Sequence, residues 1–197
     1  LFHHIIGILR NDKDFRWYLA IKTGMLLSLI SFGFYSVYAI QRFELPPAAA
    51  GVFVQYYMFG TIGWSFLFGY IADRYGHRIN IILFGVVIAL QSLMALFAPS
   101  AGLFNIIFLL MGAIRSIQII TFITMPMEYA DSRDRPTYYA LSNTLLAPFY
   151  LSAMLGGVLI PFIGYRGLFT VAASFALTTS FCALLFIRDP RHTRQDS

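Results

Sequence analysis

Long stretches without a single charge dominate this chain and leave lipid as the only solvent most of it can face. Residues 81–98 read IILFGVVIALQSLMALFA, with no polar–apolar alternation and no ionisable group. A closed β-barrel would need a period of two, so such runs are helices. Only 12% of the 197 residues are charged, against about 25% in an ordinary soluble domain. Mean hydropathy is +0.70. A helix crosses the hydrocarbon with about 20 apolar residues, so the length holds six spans and no separate soluble domain.

The spans read as helix a from Trp17 to Ile40, b from Ala48 to Ala72, c from Ile79 to Ala98, d from Leu103 to Met125, e from Tyr138 to Ile163, and f from Gly167 to Ile187. The expected organisation is a cytoplasmic linker or interfacial segment over 1–16, a six-helix transmembrane domain over 17–187, and a cytoplasmic tail over 188–197. Punctuation supports the boundaries. Pro46-Pro47 closes the first loop, where a proline can open helix b. Pro99 to Gly102 makes a short hairpin, Pro136 precedes helix e, and Pro190 follows helix f. In the leading segment Phe2, Ile5, Ile6 and Leu9 recur at helical spacing, as in a helix lying in the membrane interface. Leu1, in place of Met, reads as a fragment or a trimmed chain.

Charge sets the orientation. Of the 14 lysines and arginines, one side holds Arg10, Lys13, Arg16, Lys22, Arg74, Arg78, Arg133, Arg135, Arg188, Arg191 and Arg194. The other holds Arg42 and Arg166, while Arg115 lies inside helix d. By the positive-inside rule both termini face the cytoplasm of a cell (inner or plasma) membrane, and an even number of spans requires the same side for both. No basic surface interleaved with aromatics points to nucleic acid. The single cysteine, Cys182, excludes a disulfide framework and a cysteine metal site.

Enzyme chemistry lacks its parts. The spans contain no histidine and no paired aspartates, and neither HExxH nor Gly-x-Ser-x-Gly occurs. No metal or cofactor is expected. All 9 acidic residues fall in loops, tails or helix ends, so the spans hold no carboxylate.

Between helices b and c the chain runs Gly69-Tyr-Ile-Ala-Asp73-Arg74-Tyr75-Gly76-His77-Arg78. This resembles the cytoplasmic loop signature of the major facilitator superfamily, in the position between second and third spans where the family carries it. The spacing has physical sense: Gly69 for close helix approach, Asp73 for a neighbouring helix N-terminus, Gly76 for a turn with positive φ. Arg74 and Arg78 would hold the loop in the cytoplasm and pair with acids on other helix ends. His77 departs from the usual basic residue and puts a titratable group in the loop. Glu128 to Arg135, leading into Tyr138 to Leu141, resembles the acidic-then-Arg loop before the fifth helix of a half. Ala147-Pro148 to Gly156-Gly157 resembles that helix, and Gly164 to Phe169 the turn into the sixth.

The resemblance implies an all-α integral membrane fold, a six-transmembrane-helix bundle made of two inverted three-helix repeats, half of a major facilitator transporter. The charged lead-in and the basic tail favour the C-terminal half. It implies a small-molecule substrate moved by alternating access, a bilayer, and as partner the missing six-helix half or a second copy of this chain. A half-size homodimer and a non-transporting accessory protein are the alternatives.

Residue types then mark a site. Arginine in a span costs about 2.5–3.5 kcal/mol on insertion scales and usually faces the bundle interior. Arg115, with Gln118 at i+3, is therefore the leading contact for a solute, and an anion is the class it favours. A structural arginine, satisfied by carbonyls or a neighbouring helix, is the competing reading. Asn143 lines a cavity or bonds across helices. Tyr35, Tyr38, Gln55 and Tyr56 either line a pocket or form an aromatic belt. Gly69, Asp73, Arg74, Gly76 and Arg78 are the expected conformational switch. Gly60, Gly63, Gly156 and Gly157 read as packing or bending residues.

Overall fold

A computed structural model describes the backbone of residues 2–187 and the side chains of residues 7–187. The expected tail, with Arg188, Arg191 and Arg194, lies outside the described residues. Every regular element among them is helical: α1 (Phe2–Asn11), α2 (Lys13–Ser28), α3 (Tyr35–Arg42), α4 (Ala49–Tyr75), α5 (His77–Leu96), α6 (Gly102–Glu128), α7 (Arg135–Leu146) and α8 (Ser152–Phe186). The six apolar runs are all there. Helix a is α2 and α3 joined by a 3-10 stretch, Leu29–Phe34. Helix e is α7, a second 3-10 stretch at Ala147–Leu151, and the first part of α8.

Most helices extend past the ends expected from hydropathy. α4 continues through Asp73 and Arg74, and α6 through Pro126 to Glu128. Apolar content marks the hydrocarbon, whereas a helix keeps its backbone bonds well into the headgroup layer. Asp12 starts α2 by accepting the Phe15 N–H at 2.8 Å, an N-cap. Four stretches are long and apolar enough to cross a membrane: Lys13–Arg42, His77–Leu96, Gly102–Glu128 and Arg135–Phe186. The last is two spans, broken at Gly164. α4 is not among them, because its tyrosines, glycines and Gln55 dilute its hydropathy.

Two glycine turns organise the bundle. Gly76 separates α4 from α5 at φ +82°, ψ +169°, and Gly164 divides α8 at φ +66°, ψ +176°. This is backbone open essentially to glycine alone. The sequence around them repeats: Gly69, Gly76 and Arg78 have the same spacing as Gly157, Gly164 and Arg166. Three spans separate the two turns, so they lie at opposite ends of the bundle, as inverted three-helix units require. Sequence similarity alone is too faint to register this repeat; the shared backbone geometry picks it out.

Packing follows small residues. α4 lies along α6 and α5 along α8. A side chain at Gly60 would strike the Leu109 carbonyl, and one at Gly112 the Gly60–Thr61 backbone. Hydroxyls and an indole bond across this seam: Ser116 Oγ donates to Thr61 O at 2.8 Å and Trp64 Nε1 to Leu109 O at 3.1 Å. Gly85 fits against Ala176 and Ser180, whose Oγ donates to Ile82 O at 2.9 Å. Lipid offers no hydrophobic drive between helices, so close approach and such bonds hold the bundle together.

Candidate functional site

Both 3-10 breaks face one space. Leu29 and Phe32 from the break in helix a stand opposite Tyr150 from the break in helix e, and α6 closes the third wall. The cavity measures about 390 Å³ and is lined also by Arg115, Gln118, Phe122, Tyr139, Asn143 and Ser152. Ser152 Oγ donates to Leu26 O at 2.7 Å, and Gly156 packs on the Ile30 carbonyl and the Phe34 ring. These contacts hold the two interrupted helices together beside the cavity.

Three of the anticipated site residues converge here. Arg115, exposed to the cavity, is its one charged lining residue. Its guanidinium has no hydrogen-bond acceptor and no carboxylate among the described residues. The side-chain amides of Gln118 and Asn143 also have no partner there. Around these donors the walls are aromatic and aliphatic. The chemistry available is therefore charge-assisted, multi-donor binding in an apolar setting.

The other anticipated residues lie elsewhere. Tyr35 is buried, its Oη bonded to Ser31 Oγ at 3.2 Å and Ser92 Oγ at 3.0 Å, with its ring stacked on Phe169 at 4.8 Å. Tyr38 accepts from Arg42 Nη1 at 2.6 Å and packs on Phe169 and Tyr165. Neither reaches this cavity. Gln55 and Tyr56 are exposed on α4, outside it.

The signature segment needs several corrections. Gly69 has open space where a Cβ would stand, so within this chain it makes no close helix contact; Gly60, Gly112 and Gly85 do that work. Gly63 is likewise open, whereas Gly156 is tightly packed. Asp73 and Arg74 lie in the last turn of α4, and Gly76 alone is the turn. Among the described residues Arg74 and Arg78 pair with no acid: Arg74 Nη1 donates to Tyr70 Oη at 3.2 Å, and Arg78 Nη2 to the Leu184 carbonyl. His77 is no loop residue. It opens α5, 2% exposed, with Nδ1 at 3.3 Å from Thr121 Oγ1 and Nε2 at 3.6 Å from Glu128 Oε1. Asn80 Nδ2 donates to Thr121 Oγ1 at 3.2 Å and to Phe68 O at 3.0 Å, so this network ties α4, α5 and α6 together.

One residue of consequence is given no role by the sequence expectations beyond its place in the charge count. Lys22, counted there among cytoplasmic charges, is wholly buried inside α2. Its Nζ donates to Ser142 Oγ at 2.9 Å and lies 5.1 Å and 5.7 Å from the Phe122 and Tyr18 ring centroids. Phe122 thus has the cavity on one side and an ammonium on another. Arg115 is not the lone charge within a span. The signal was available, since Lys22 falls inside the expected limits of helix a.

No curated protein and no solved structure matches the chain. The family model described as Major Facilitator Superfamily does match it, over residues 20–197. That range takes in five spans whole and all but the first residues of helix a, with both glycine turns and the cavity. The chain therefore belongs to the major facilitator superfamily, a family of membrane transporters, and is an integral membrane protein of all-helical fold.

Proposed function

We propose that this chain is one six-helix half, the C-terminal one, of a secondary transporter that moves a small anion by alternating access. Its termini then face the cytoplasm of a cell membrane. One observation carries the reading: Arg115, Gln118 and Asn143, all without hydrogen-bond partners among the described residues, line a single cavity. A guanidinium in an apolar cavity needs a counter-charge. An anionic solute supplies it at the point where a transport pathway between two halves would run. The segment Gly69, Asp73, Arg74, Gly76 and Arg78 serves as the conformational switch, with Gly76 fixing the angle between α4 and α5.

Reconstituted full-length protein, offered labelled organic and inorganic anions in liposomes, tests the proposal. Wild type should accumulate at least one of them, and Arg115→Gln should abolish this with its detergent Tm unchanged. Uptake confined to neutral solutes and indifferent to Arg115→Gln would remove the anion reading.

A further inference from the structure

At the end of the bundle opposite Gly76, the two arginines that the charge count sets apart come together. Arg42, closing α3, and Arg166, just after the Gly164 break, line one cavity of about 530 Å³ with Tyr38, Tyr165, Leu96 and Ile163. They come from helices far apart in sequence, on the side that carries no other lysine or arginine among the described residues. The positive-inside rule gives no reason to keep them there.

Their hydrogen-bonding capacity is mostly uncommitted. A guanidinium carries five N–H donors. Arg42 uses only Nη1, to Tyr38 Oη at 2.6 Å and to Ala95 O at 3.4 Å. Its guanidinium carbon stands 5.6 Å and 5.3 Å from the Tyr38 and Phe43 ring centroids, which fixes the group in place. Nε and Nη2 have no acceptor among the described residues. Arg166 donates from its side chain to none of them. Glu44, the acid of the neighbouring loop, forms no ion pair with either arginine. The internal repeat sharpens the contrast. Arg78, the counterpart of Arg166, donates Nη2 to the Leu184 carbonyl, although its Nε is buried without an acceptor among the described residues, so the repeat anchors this arginine from within at one end only.

We propose that Arg42 and Arg166 form a binding site for a phosphate group at the membrane surface, separate from the Arg115 cavity. Two guanidinium forks match phosphate oxygens bidentately. Tyr38, buried, packs on Tyr165 at 5.3 Å beside the arginines, and Leu96 and Ile163 supply an apolar floor. The same chemistry takes the headgroup of an anionic phospholipid or a free phosphate, and the apolar floor suits the lipid.

Delipidated full-length protein in neutral detergent distinguishes the sources, with dioctanoyl phosphatidylglycerol and inorganic phosphate as probes. Binding to the folded state alone raises Tm by a few degrees once the probe is in large excess over its Kd. A shift with the lipid, lost in Arg42→Gln/Arg166→Gln and partly kept in Arg42→Lys/Arg166→Lys, supports the headgroup; the same pattern with inorganic phosphate supports the free ion. Should the double variant fail to fold, Arg166→Gln, which removes no side-chain hydrogen bond among the described residues, must weaken the shift on its own. No shift with either probe, or a shift that survives loss of both arginines, overturns the site. Both probes are also read in the Arg115→Gln background, where a shift that persists and needs Arg42 and Arg166 belongs to this site alone, so failure here is separable from failure of the transport reading.

Discussion

Among the charged residues, two cations within the spans are handled in opposite ways. Lys22 is sealed in, with one hydroxyl and two aromatic rings around its ammonium. Arg115 is left open to a cavity. A buried ammonium that loses its acceptor incurs its own desolvation cost, about 1–3 kcal/mol or more for a charged group, so Ser142→Ala should lower the detergent Tm. Replacing the lysine as well, in Lys22→Met/Ser142→Ala, should restore it, because an apolar pair of similar shape costs little. Independent, additive losses would show that the bond does not matter. Arg115 should behave differently. Arg115→Lys keeps the charge but loses the fork, and should weaken anion binding; Arg115→Gln should nearly abolish it, both with little change in Tm. Lost stability at unchanged affinity would make Arg115 a structural residue.

At the level of elements, the helices were legible and their interruptions were not. Runs as long as the hydrocarbon is thick, with one charge each at most, leave no alternative to a spanning helix, so all six could be placed, helix b by its lack of charge despite its diluted hydropathy. The 3-10 stretches at Leu29–Phe34 and Ala147–Leu151 shift backbone bonding by one residue without altering hydropathy. Only Pro148 hints at the second. Roles assigned to glycines divide in the same way. Gly76 follows from turn chemistry, whereas Gly69 and Gly60 differ only in what faces them. Gly76→Val forces a β-branched residue to φ +82°, strain of about 1–3 kcal/mol, and should lower Tm and turnover. Gly69→Ala, entering open space, should leave Tm unchanged. Gly112→Val, driven into the Gly60–Thr61 backbone, should separate α4 from α6 and lose folded protein in detergent. If Gly112→Val melts like wild type, small residues do not set the spacing of that seam.

For the whole molecule, the sequence carried the order of the helices and part of the candidate cavity. Arg115 and Gln118 share a face by helical spacing, but Asn143 joins them only because α6 and α7 meet around the broken helices. Tyr35 and Tyr38 went the other way, since a tyrosine near a span end looks the same whether it lines a pocket, packs in a core or holds an arginine. Orientation can be checked with a cysteine at Ala101 in a Cys182→Ser background. It should react only with reagent on the external side, and cytoplasmic labelling alone would invert the assignment. The central claim is that the Arg115 cavity is a pathway opened to each side in turn. Its most direct test is a cysteine at Asn143 in the full-length protein, freed of other reactive thiols and sealed in oriented vesicles. An impermeant thiol reagent should label it from either side, and a transported anion should protect it in both cases. Labelling from one side only, under every condition and regardless of the anion, would contradict alternating access through this cavity.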